Sequence, residues 1–155
     1  MSLQNELKMN QGFASLNQEA LLSLTRTYLL LDPHLNAILN NYKITSSQFN
    51  ILRILRGNKS SEGMSCTDIS DRMMTRDSDI TRLLDKLDKA KLIERYRPEE
   101  DRRKVLSQIT KNGLDLVEEI SPQLDDCNNK LMSHMDDESL QQLIDLLAKL
   151  RSPLL

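Results

Sequence analysis

Arg76, Ser78, Asp79, Thr81, Arg82 and Lys86 fall within eleven residues and mix guanidinium, ammonium, hydroxyl and carboxylate groups. Such a set suits hydrogen bonding to a nucleic acid. A guanidinium pairs bidentately with guanine, a carboxylate accepts from the cytosine amino group, and a lysine takes a backbone phosphate. A second cluster, Asp101-Arg102-Arg103-Lys104, follows, and Ser65 and Thr67 lie just upstream. These twelve positions are the candidate DNA contacts. Other chemistries lack a constellation. His34 and His134 are each isolated, and no His-x-x-x-His or Cys-x-x-Cys pair occurs, so no metal site is expected. Neither a glycine-rich phosphate loop nor a Ser, His and Asp arrangement is present, so neither an enzyme nor a cofactor is expected. Cys66 stands at an expected helix start, where a thiolate is stabilised, so oxidant sensing competes there with plain packing. Cys127 is expected to pack in a helix interface.

The first cluster needs a helix to present it. Ile80, Leu83, Leu84 and Leu87 predict a buried face on a helix spanning about 77–90, with Asp77 as its cap. Ser78, Asp79, Arg82, Lys86 and Lys89 take the opposite face, with Thr81 at its margin. A short helix precedes it from Ser65, capped by the Ser65/Asp68 spacing, with Ile69 and Met73 inward and a break at 74–76. Before that, Thr45 and Gln48 form a capping box, Phe49, Leu52 and Leu55 follow at helical steps, and Gly57 is expected to end the helix in a left-handed conformation. Two strand-like runs, 92–97 and 104–109, flank a polar tip containing Pro98, which predicts a two-stranded hairpin packed on the helices. Helix, short helix, turn, amphipathic helix and hairpin make a winged helix-turn-helix, a mainly α (α+β) fold. The short helix props the longer one so that its polar face enters the major groove. A guanidinium on a narrow hairpin tip suits a narrow, electronegative minor groove.

Longer helices flank this module. Leu21, Leu24, Tyr28, Leu31, Leu35, Ile38, Leu39 and Tyr42 predict a helix over about 17–42. Leu22, Leu29 and Leu30 widen its apolar stripe beyond the needs of one neighbour, so several neighbours or another chain must cover it. Asp32-Pro33 predicts either a kink or a fresh start. Thr110 should cap a helix running toward 132, with a kink or break at Ser121-Pro122, and Asp136 should cap a last helix over 137–150. The division is 1–44 for the N-terminal helix region, 45–110 for the DNA-binding module and 111–155 for the C-terminal helices.

Composition agrees with helices packing on helices. The chain has 155 residues, 39% hydrophobic and 28% charged, with 3% aromatic, no Trp, 4 Gly and 4 Pro. The net charge is −2, but residues 72–104 carry 11 basic against 8 acidic groups, whereas from Gly113 onward 9 acidic face 3 basic. That acidic C-terminal part should lie away from phosphates. The polar start does not read as a signal peptide, and no apolar run approaches the roughly 18 residues of a membrane span. A reducing cytoplasm is the expected compartment, with no membrane partner.

Three segments together resemble the multiple-antibiotic-resistance regulator (MarR) family. They are Ile44-Thr45-Ser46-Ser47-Gln48-Phe49-Asn50-Ile51-Leu52-Arg53-Ile54-Leu55, Asp79-Ile80-Thr81-Arg82-Leu83-Leu84-Asp85-Lys86-Leu87, and Asp101-Arg102-Arg103 followed by Ile109-Thr110-Lys111-Asn112-Gly113. The resemblance spans nearly the whole chain and is strongest from Ile44 to Gly113. It implies a homodimeric transcriptional regulator, a repressor on palindromic double-stranded DNA, whose dimerisation segments, 1–44 and 111–155, interlock between subunits. It implies that Arg103 of the Asp-x-Arg motif enters the minor groove, oriented by Asp101, with Arg102 and Lys104 on phosphates. It also implies release from DNA on binding a small aromatic ligand or on thiol oxidation. The chain departs from the family pattern in placing Asp77 and Asp79 near the recognition-helix start, where acids suit the helix dipole but oppose phosphate. Those acids and the net charge motivate the alternative, a dimeric helical protein whose winged domain binds another protein.

Overall fold

The computed structural model describes residues 2–58, 62–75 and 79–154. A short helix α1 (Leu3–Glu6) leads to the long α2 (Leu16–Asn41) and then α3 (Ser46–Gly57). Strand β1 (Met64–Ser65) runs into the short α4 (Cys66–Ser70), and α5 (Ile80–Lys89) is followed by β2 (Ile93–Tyr96) and β3 (Leu106–Ile109). Helices α6 (Lys111–Met132) and α7 (Asp137–Arg151) close the chain.

Local chemistry sets most boundaries. Thr45 and Gln48 form the complete capping box of α3, and Ser65 and Asp68 form that of α4. Thr110 accepts from the Gly113 N–H to start α6, and Asp136 accepts from the Ser139 N–H to start α7. Gly57 departs from expectation. It remains inside α3, and the C-cap is Asn58 with φ −107°, so neither of these two residues is left-handed. Gly63, just before β1, is left-handed at φ +90°.

Both prolines lie inside continuous helices, Pro33 in α2 and Pro122 in α6, so neither starts a new element. Each removes one backbone bond to the carbonyl four residues earlier. Those carbonyls belong to Leu29 and Glu118, which are exposed residues that water can satisfy.

The wing is a three-stranded sheet of order β1-β3-β2 rather than the expected two-stranded hairpin. All pairs are antiparallel, with Ile93 opposite Ile109, Tyr96 and Ser65 opposite Leu106, and Met64 opposite Ser107. The third strand has two residues, too short for any periodic signal. It reaches β3 because Gly63 has no side chain: a Cβ there would lie 2.9 Å from the Ser107 carbonyl oxygen.

The core sits inside the winged module and reaches into the first half of α6. Ile51, Leu52, Ile69, Leu84, Leu87, Ile93, Val117 and Ile120 are fully buried. Burial of each such side chain contributes about 1.5–3 kcal/mol. The outer helices differ. α7 has no buried residue, and in α2 only Leu39 is buried.

Candidate nucleic-acid interface

α5 presents its face because Ile80, Leu84 and Leu87 are buried. Thr81, Arg82, Lys86 and Lys89 are left exposed on the other side. The first turn of α5 carries an ion pair, with Arg82 Nη1 3.5 Å from Asp79 Oδ2. Asp79 is the N-cap residue, and its side chain makes no capping hydrogen bond. The helix is shorter at its start than the spacing predicts. Arg76 and Ser78, two of the predicted contacts, and Asp77, the predicted cap, lie outside the described residues.

α4 stands against α5 as a prop. Ser65 is occupied by its capping role: its hydroxyl accepts from the Asp68 N–H at 3.2 Å and donates to Asp68 Oδ2 at 2.6 Å. That hydroxyl, and then the Ser65 N–H, hold the Asp68 carboxyl below the usual carboxylate range. Thr67 is exposed. Cys66 is half-buried at the α4–α5 seam, its Sγ 3.9 Å from Thr81 Oγ1.

The wing tip is built around Asp101. Its Oδ1 accepts the Arg103 N–H at 3.1 Å, its carbonyl accepts the Lys104 N–H at 3.1 Å, and its Oδ2 lies 3.9 Å from Lys104 Nζ. A side chain accepting from the backbone two residues on is an Asx-turn, which tightens the loop. Across the tip, Arg97 Nη1 donates to the Arg102 carbonyl at 2.8 Å. Arg102, Arg103 and Lys104 are exposed. The backbone of Arg103 is therefore fixed by Asp101 while its guanidinium is presented outward.

Two wing residues escaped the sequence reading. Arg95 forms an ion pair from β2 to Asp85 on α5, with its Nε buried and without a hydrogen-bond partner. This pair ties the wing to the helix beside it. Tyr96 donates its hydroxyl to the Glu62 carbonyl, tying the wing to the loop before β1. The available signal was the alternation of Ile93 and Arg95 along one strand face, with Asp85 as the nearby acid on the amphipathic helix.

The Thr-x-x-Gly junction has a structural role. Thr110 Oγ1 donates to the Lys91 carbonyl at 2.8 Å while capping α6, and a Cβ at Gly113 would lie 2.1 Å from the Leu92 carbonyl oxygen. The start of α6 is thereby locked against the turn between α5 and β2. No described helix is long and apolar enough to cross a membrane.

A family model for the transcriptional regulator SarA/Rot matches residues 34–120. Over 113 residues the chain is 32% identical to the HTH-type transcriptional regulator FarR of Neisseria gonorrhoeae, across 73% of this chain and 75% of FarR. The fold matches S. aureus MepR in its DNA complex with a TM-score of 0.75 at 25% identity, over 85% of this chain and 96% of MepR. It matches NadR in complex with 4-hydroxyphenylacetate with a TM-score of 0.65 at 29% identity, over 83% and 92% of the two chains. A propped amphipathic helix, a wing tied to it and a family model covering both lead to one assignment: the chain belongs to the SarA/Rot family of MarR-type winged helix-turn-helix transcriptional regulators.

Proposed function

We propose that this regulator acts as a homodimeric repressor in the cytoplasm, binding a palindromic operator and catalysing no reaction. The observation that carries this reading is the wing tip, where Asp101 braces the Arg103 backbone and three consecutive cations stand exposed. Ser65, Thr67, Arg76, Ser78, Asp79, Thr81, Arg82 and Lys86 serve the major-groove side, and Asp101, Arg102, Arg103 and Lys104 the wing. Arg103 enters the minor groove, while Arg102 and Lys104 take phosphates. Residues 45–110 form the DNA-reading module.

Dimerisation through 1–44 and 111–155 is supported by apolar side chains left uncovered on the outer helices. Leu21 is 64% exposed, Leu29 57%, Ile144 56% and Leu146 65%. Solvent exposure on that scale over two helices marks an interaction surface. Release is triggered by a small aromatic ligand seated between these helices and the winged module. The 4-hydroxyphenylacetate complex of NadR supports that ligand class.

Arg103→Ala tests the reading. The expected result is loss of most affinity for a duplex selected by the wild-type protein, on the order of a hundredfold, with the dimer intact in sedimentation. Unchanged affinity would remove Arg103 from the interface.

A further inference from the structure

On each of the two DNA-directed elements an acid is paired with a neighbouring cation of the same surface. On α5, Asp79 Oδ2 lies 3.5 Å from Arg82 Nη1, and at the wing Asp101 Oδ2 lies 3.9 Å from Lys104 Nζ. In both, the acid precedes the cation by three residues, and both pairs are open to solvent. Asp101 also shapes the wing turn through its Oδ1, which gives it a role apart from the pair. Asp79 makes no side-chain cap bond to α5, so its pair with Arg82 is not a by-product of capping. An exposed ion pair of this kind adds little to fold stability. An acid at the start of a recognition helix also repels phosphate. The pair bears directly on how Arg82 meets DNA.

We propose that Asp79 is a specificity-determining residue: by holding Arg82 it withholds that guanidinium from the phosphates of arbitrary DNA and yields it to a guanine edge in the operator. The inference rests on reading this surface as DNA-binding. Random duplex attracts the protein through phosphate charge alone. A phosphate contact by Arg82 exchanges one anion partner for another and brings a second anion, Asp79, toward the backbone, so little is gained. A guanine offers O6 and N7 together, a planar bidentate match that a single contact at 3.5 Å does not equal. The pair therefore penalises non-specific binding more than operator binding, which is discrimination by a repulsive element. It also fits a protein whose interface segment carries 11 basic but 8 acidic residues.

Asp79→Asn and Asp79→Ser both remove the charge and retain a side chain able to cap the helix. Affinities of full-length wild type and both variants are measured over a salt series on a random-sequence duplex and on a duplex selected by the wild type. The expected result is random-duplex affinity raised about three- to tenfold at low salt, with the slope of log affinity against log salt steeper by about one, the value for one added phosphate contact. Affinity for the selected duplex changes less, so the ratio of specific to random binding falls. In an Arg82→Ala background the same substitutions leave the slope unchanged. A ratio and slope equal to wild type, or a parallel fall on both duplexes, would overturn the specificity role of Asp79. A wild-type protein that binds neither duplex at any salt would overturn the DNA reading itself.

Discussion

Asp68 and Asp136 do related work at two helix starts. Asp68 completes a capping box with Ser65, and Asp136 accepts from Ser139 at the head of α7. In each case hydrogen bonds favour the charged carboxylate, the largest contributions coming from the Ser65 and Ser139 side chains, so both carboxyls sit below the ordinary 3.8. A carboxyl depressed in the folded state contributes stability that is present above the unfolded value. That contribution is lost as pH falls from about 3.8 through the folded value. The wild-type melting temperature is therefore expected to decline as pH drops below 3.8, and an Asp68→Asn/Asp136→Asn double variant is expected to decline less over that window. Melting followed by circular dichroism from pH 6 to pH 2.5 gives the comparison. Parallel curves would show that these caps do not titrate with folding. Ser65 has a second role at this scale: besides being a candidate DNA contact, its hydroxyl is engaged with Asp68 at the head of α4.

Besides the shared core, a few specific ties join elements of this protein. The Asp85–Arg95 pair joins α5 to β2 and so ties the wing to the recognition helix. Arg95→Met keeps much of the side chain's volume and removes the tie. It is expected to weaken operator binding about tenfold, near 1.4 kcal/mol, with helix content unchanged. Binding equal to wild type would mean that the sheet pairing alone orients the wing. Gly113→Ala addresses the junction with α6. A methyl group 2.1 Å from the Leu92 carbonyl oxygen cannot be accommodated without moving backbone, so a loss of about 2 kcal/mol or more is expected in denaturant unfolding.

The same ties explain what was legible in the sequence. Capping boxes and three-to-four spacing depend on residues close in the chain, so α3, α4, α6 and α7 could be placed from Thr45, Ser65, Thr110 and Asp136. The candidate wing cations were legible because Asp-x-Arg is a local turn. What escaped depends on distant partners. β1 has two residues and exists through β3, while Arg95 has meaning only beside Asp85. At Pro33 and Pro122 the local sequence left a kink or a new start open, and the continuity of α2 and α6 decides against a new start.

At the scale of the whole molecule, apolar surface and charge are distributed unevenly. The winged module buries its own core, whereas α2 and α7 leave leucine and isoleucine uncovered. Cations concentrate on the module, and the segment from Gly113 onward is acidic. A second copy covering the outer helices would bury that apolar surface and turn two wings and two α5 helices toward one duplex. Such an arrangement fixes both stoichiometry and spacing. Sequencing the fragments that the purified protein selects from random duplex DNA, with the mass of the selected complex determined in parallel, tests this most directly. The expected result is an inverted repeat with half-sites about one helical turn apart, 10–10.5 base pairs, bound by two chains. A single unrepeated element bound by one chain would contradict it.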